Sequence, residues 1–164
     1  MTEQGGEALY QVAVRALCEF SAKRGDLDLR FTPSPSALEG IAGHTLVTSR
    51  RPAHYQREVA LDGRYRHLQV RGRADGYDPQ ANCLEEIKTH RGDLALQPAN
   101  HRHLHWAQAR VYGWLLCAER KLEEVELALV YLEVGSQKET RFVERVRADE
   151  LRLFFESQCQ AFLA

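Results

Sequence analysis

The sequence predicts an α/β domain with a central mixed sheet flanked by helices. Three observations lead there: helical periodicity near both ends, three short alternating segments between residues 57 and 90, and a long helix followed directly by an apolar strand. The 164 residues, 44% hydrophobic and 27% charged, amount to one globular domain.

From Glu7 to about Lys23, Leu9, Val12, Ala13, Ala16, Leu17 and Phe20 recur at spacings of three and four, which predicts an amphipathic helix ended by Arg24-Gly25-Asp26. After the turn-rich Thr32-Pro-Ser-Pro-Ser36, a second helix starts at Ser36, with Glu39 placed as capping-box partner, and carries His44. Residues 57–61 alternate as a strand, Asp62-Gly63 reads as a hairpin dipeptide, and residues 64–77 read as the partner strand. A turn around Asp78-Pro79 returns the chain as residues 82–90, completing an antiparallel meander. Pro98 and Asn100 open a long helix through Arg120 with a core stripe of Leu104, Ala107, Val111, Trp114 and Leu115. Residues 123–134 predict a buried strand with Val125, Leu127, Leu129 and Tyr131 on one face. Residues 141–146 predict an edge strand. A last helix starts near Asp149 and is still apolar at Phe162-Leu163-Ala164, so residues 1–164 are expected to be a single domain of a longer chain.

Lys and Arg number 22 against 23 Asp and Glu, and the isoelectric point near 6.7 excludes a uniformly basic protein that grips polyanions non-specifically. The charge is unevenly spread. Residues 50–105 carry 10 basic and 7 acidic side chains, while both flanks are net acidic. All seven histidines fall between His44 and His105, a clustering that either chance surface placement or a site accounts for. Cys18, Cys83, Cys117 and Cys159 form no close pair, which argues against a zinc knuckle. The chain shows neither a signal-peptide start nor an apolar run of spanning length, so a cytoplasmic location without membrane association is expected.

The informative stretch is GRADGYDPQANCLEEIKTH. Strand alternation puts Leu84, Glu86, Lys88 and His90 on one face and Cys83, Glu85 and Ile87 on the other. The meander brings Asp75 beside them, and two carboxylates with an ammonium at one sheet edge suit a divalent cation and a water. On the long helix, His101, His105, Gln108 and Tyr112 form a polar stripe. Arg50, Arg51, Arg73, His90 and Arg91 are candidates to hold a phosphate backbone. Plainer readings exist for each: His44 as a core histidine, Asp75 as a turn residue, Glu85 and Glu86 as an exposed pair, Lys88 as a solvated strand lysine, Tyr112 as core packing. His101, His103 and His105 suggest zinc but lack an evident third ligand.

ExK alone carries little weight, but a helix histidine, then GxxD, then ExK after a short turn, then QxxxY on the next helix form an ordered set. That set resembles the PD-(D/E)xK nuclease superfamily, RecB-like branch, over residues 36–134. The stretches RALCEF, EGIAGH and EEIKTHRGDL with HWAQARVYGWLL also look like the N-terminal nuclease module of bacterial XPD-like DNA helicases. The resemblance implies a restriction-endonuclease-like αβββαβ core. It implies Mg²⁺ or Mn²⁺ held by His44, Asp75, Glu86 and the Ile87 backbone carbonyl, Lys88 orienting the attacking water, and Gln108 and Tyr112 contacting the catalytic centre and DNA. It further implies a deoxyribonuclease of exonuclease or flap type, acting on single-stranded or flapped DNA ends in repair or processing beside a helicase domain. Some members carry an iron–sulfur cluster on one upstream and three clustered C-terminal cysteines; this chain lacks that pattern, so no cluster is expected. Two alternatives stay open: a non-catalytic DNA-binding or docking module of a helicase, and an RNA-directed endonuclease of the same fold.

Overall fold

A computed structural model of the chain describes residues 9–21 and 34–164. Six strands form one mixed sheet: β1 (Tyr10–Ala13), β2 (Gln56–Tyr65), β3 (Leu68–Asp78), β4 (Cys83–His90), β5 (Glu124–Glu133) and β6 (Glu139–Arg147). The helices are α1 (Val14–Ser21), α2 (Ala37–Ser49), α3 (Ala99–Arg120) and α4 (Ala148–Leu163), with a 3₁₀ turn at Leu94–Leu96. β2–β3–β4 is the expected antiparallel meander; β4 and β5 run parallel across the α3 crossover, and β6 is an antiparallel edge. On one face, α1, α3 and α4 cover a core that includes Leu17, Val70, Leu84, Leu116, Leu127, Leu129, Tyr131 and Phe155. On the other, α2 covers a smaller cluster of Val47, Cys83, Ile87, Ala128, Val130 and Leu132. Residues on both faces of β5 are thus buried, so the one-face stripe expected for it is only half of its packing.

The capping box at Ser36 forms as expected: Glu39 N–H donates to Ser36 Oγ at 3.2 Å, and Ser36 N–H donates to Glu39 Oε1 at 2.9 Å. Such a cap contributes about 1 kcal/mol and sets where α2, and with it His44, begins. α3 ends where Lys121 adopts a left-handed φ of 57° and its N–H donates to the Cys117 carbonyl.

Two expectations are corrected. The helix expected from Glu7 to Lys23 is, over its described part, a strand followed by a helix: Tyr10–Ala13 pairs in parallel with Leu68–Arg71 of β3 before α1 begins at Val14. Edge hydrogen bonds, such as Tyr10 N–H to the His67 carbonyl at 2.8 Å, outweigh the local helical periodicity. The Arg24-Gly25-Asp26 stop lies outside the described residues. Asp62-Gly63 is likewise not the hairpin turn, since both residues pair inside β2 with Arg71 and Val70. The turn is Arg66-His67, with Arg66 at a φ of 56°. Gly63 is there for packing: a Cβ would stand 2.6 Å from a methyl of Leu115 on α3.

One topological detail positions the site. β3 has two edges, and β2 occupies one from Leu68 to Tyr77. β1 and β4 therefore share the other, β1 at Leu68–Arg71 and β4 at Gly76–Asp78. Between them, residues 72–75 of β3 have no strand partner on that edge among the described residues, leaving a notch in the sheet.

Candidate active site

Asp75 and Glu86 stand at this notch, just past the last β3–β4 register pair, Gly76 with Glu85. The Ile87 N–H at the notch donates to Asp75 Oδ2 at 2.6 Å, so a side chain replaces the missing ladder partner. That bond fixes Asp75 against β4. His44 reaches the notch from α2, with Nδ1 3.5 Å from Asp75 Oδ1, and the Ile87 backbone carbonyl faces its ring. Lys88 Nζ is 3.2 Å from Glu86 Oε2. Tyr112 arrives from the opposite side, its ring over Gly72, where a Cβ would come within 2.6 Å of the hydroxyl. The glycine of GxxD thus makes room for the tyrosine of QxxxY. Gln108, one turn earlier on α3, is buried, and its Oε1 has no hydrogen-bond partner.

The electrostatics of this group are strained. Burial, reinforced by the Asp75 charge, raises the Glu86 pKa. Burial also raises that of Asp75, against the opposing Ile87 N–H and Lys88 ammonium. Desolvation lowers the pKa of His44, leaving a neutral imidazole able to act as a ligand. Glu86 Oε1 is buried with no hydrogen-bond partner. An orphaned carboxylate oxygen beside a second carboxylate is costly unless a cation sits there. Among the described residues, no group of three or more His, Cys, Asp or Glu side chains is gathered so as to hold a metal ion. The donors nearest the notch are the Asp75 and Glu86 carboxylates, the Ile87 carbonyl and the His44 imidazole, oxygen-rich donors of the kind Mg²⁺ or Mn²⁺ would take.

Beside the notch opens a cleft of about 660 Å³, lined by His44, Ile87, Lys88, His90 and Arg91 and reaching Arg15, Leu94, His101 and His105. Five of the expected site residues therefore border one cleft, with Asp75 and Glu86 adjoining it through His44 and Lys88. Arg15 and His105 were not singled out from the sequence as site residues. Arg15 lay in the stretch read as part of a plain amphipathic helix, and His105 carried its place in the polar stripe and, with His101 and His103, a suggestion of zinc without a third ligand. Arg91 also pairs with Glu39 of α2.

The cleft does not include Arg50, Arg51 or Arg73. Arg51 donates to Glu85 Oε1 at 2.8 Å and to Glu139 Oε1 at 2.7 Å, and Arg50 to Glu139 Oε2 at 3.0 Å. These are ion pairs that tie the end of α2 to β4 and β6. Arg73 borders a smaller hollow with Asp62, Arg71 and Glu119.

Comparison with known proteins bears on the fold. The crystal structure of SSO0001 superposes over 97% of this chain and 79% of its own, with a TM-score of 0.54 and 19% identity. A phage related exonuclease from Haemophilus somnus 129PT superposes over 90% of this chain and 76% of its own, with a TM-score of 0.52 and 13% identity. The fold is thus the expected restriction-endonuclease-like one, a central mixed sheet flanked by helices. No protein-family model and no curated protein matches the sequence. Among the described residues, no helix is long and apolar enough to cross a membrane.

Proposed function

We propose that this chain is a divalent-metal-dependent deoxyribonuclease that hydrolyses phosphodiester bonds, acting on single-stranded or flapped ends during DNA processing beside a helicase. The observation that carries the reading is the buried Glu86, with one orphaned oxygen, beside the half-buried Asp75 at a break in the sheet next to a cationic cleft. Among its described lining residues, Arg15, Lys88 and Arg91 are cationic and Asp93 is the acidic one, a balance that suits a polyanion. A fold shared with a phage related exonuclease adds to it.

His44, Asp75, Glu86 and the Ile87 carbonyl would hold the ion. When bound, it supplies the Lewis acidity that makes water nucleophilic near neutral pH and offsets charge building on the phosphate. The protein does the rest. The Ile87 N–H orients Asp75, leaving its second oxygen toward His44. Lys88 holds the attacking water or the developing phosphate charge through its ammonium. Arg15 and Arg91 steady the strand without reading its sequence.

Labelled single-stranded, flapped and duplex DNA, with RNA alongside, incubated in Mg²⁺ or Mn²⁺ tests this. Cleavage of DNA that stops with EDTA and slows at least ~10²-fold in Lys88→Ala is expected. Parent-level cleavage by Lys88→Ala, or cleavage indifferent to EDTA, overturns it.

A further inference from the structure

His105 has no part in the chemistry above, yet its surroundings give it one. It lines the cleft in common with Lys88, one turn after His101. Its Nδ1 lies 2.8 Å from the hydroxyl of Tyr131, a fully buried β5 residue. Tyr131 is the register partner of Lys88, so in the parallel pair both side chains leave the sheet on the same face. Lys88, Tyr131 and His105 therefore converge from β4, β5 and α3.

The hydrogen-bond direction follows from what the buried hydroxyl can reach. The Arg102 guanidinium packs against Tyr131, 5.4 Å from its ring centre. His105 Nδ1 is the partner at 2.8 Å of this fully buried hydroxyl, and the phenol proton is satisfied only when the O–H donates to that nitrogen. That selects the tautomer with the proton on Nε2. Burial and the nearby Lys88 ammonium lower the His105 pKa to about 3, so the ring is neutral and Nε2 is a fixed donor. Tyr131, raised to about 12 mainly by burial, keeps its proton. The Tyr131 ring is itself held, edge-on to Phe142 at 5.9 Å and to His90 at 6.3 Å. A neutral donor set in this way at a cationic cleft suits an oxygen of an anionic ligand, and Lys88 beside it supplies the charge.

We propose that His105 is a substrate-binding residue whose Nε2–H, oriented by Tyr131, donates to a non-bridging oxygen of a phosphodiester lying beside Lys88. The proposal rests on the nuclease reading for the identity of the substrate but not for its test. The probe is a short fluorescein-labelled single-stranded oligonucleotide, with binding followed by anisotropy in EDTA, where no metal-dependent turnover occurs. Steady-state cleavage in Mn²⁺ and thermal melting are measured on the same proteins. His105→Leu is expected to weaken binding roughly 10-fold or more, the scale of one hydrogen bond to a charged group, and to raise KM with kcat little changed. His105→Gln, whose amide N–H₂ reaches the Nε2 position, recovers most of the loss. Tyr131→Phe keeps the ring packing but frees the imidazole, giving a weaker loss of about threefold on the same measure; it serves as the test if the leucine variant does not fold. Parent-like affinity in His105→Leu, or equal losses in the leucine and glutamine variants, overturns the proposal. If the parent binds the oligonucleotide but cleaves nothing, and the glutamine variant still outbinds the leucine one, the contact stands and the nuclease reading falls.

Discussion

Glu85 and Glu86 are sequence neighbours in β4 with side chains only 4% and 7% exposed, and they meet opposite conditions on the two faces of the sheet. Glu85 accepts from Arg51 at 2.8 Å, from the Tyr55 hydroxyl at 2.7 Å and from Arg141. Burial opposes its ionisation, but these donors outweigh burial and hold its pKa low. Glu86 has Lys88 on one oxygen and nothing on the other, with Asp75 nearby, and its pKa is raised. Satisfied buried charge of the first kind organises structure; unsatisfied charge of the second kind is kept where a ligand completes it.

Substitution at each glutamate sharpens the contrast. Glu86→Gln is expected to cut cleavage at least ~10²-fold while the melting temperature stays level or rises, because a destabilised buried charge is removed without a change in volume. Loss of stability without loss of cleavage would break the distinction. Glu85→Gln leaves Arg51 and Arg141 under-compensated. Arg141 is 40% exposed, so a destabilisation of about 2 to 3 kcal/mol is expected in urea unfolding, below the range for a fully buried pair. Cleavage per folded molecule should change little. A third effect belongs to the face that carries Glu86. His105 has its pKa lowered from 6.5 to about 3, so the unfolded chain binds a proton that the folded chain refuses. Stability is complete above about pH 6.5 and declines as pH falls toward 3, by about 2 kcal/mol at pH 5, and His105→Gln should flatten that decline in urea titrations at pH 7 and pH 5. The smallest effect is on the Glu85 side: Arg50→Ala, losing a partly exposed ion pair, should cost about 0.5 kcal/mol and leave oligonucleotide affinity unchanged.

The sequence made some of this readable and hid the rest for physical reasons. Asp75, Glu86 and Lys88 were legible because period-two alternation plus a short turn is enough to place them together, and Ser36 with Glu39 announced α2 through chemistry local to four residues. β1 was not legible. Tyr10–Ala13 is too short to display strand periodicity and becomes a strand only because β3, sixty residues later, has a vacant edge. Asp62-Gly63 misled for a similar reason, since the glycine answers to Leu115 on a distant helix. The charge of Arg50 and Arg51 was legible, but their pairing with Glu139, almost ninety residues away, was not. His105 was visible as part of a polar stripe, but the meaning of that stripe depends on Tyr131, and only the β4–β5 register brings Tyr131 beside Lys88.

The shared edge of β3 has a mechanical consequence. β3 joins β4 through three register pairs, while β2–β3, β4–β5 and β5–β6 are joined through eight or nine. The sheet is thus two stiff leaves with a short seam, one leaf bearing Asp75 and the other Glu86, Lys88 and Tyr131. Anything held by both carboxylates acts as a stitch across that seam, so occupancy of the site and the rigidity of the domain are two readings of one equilibrium.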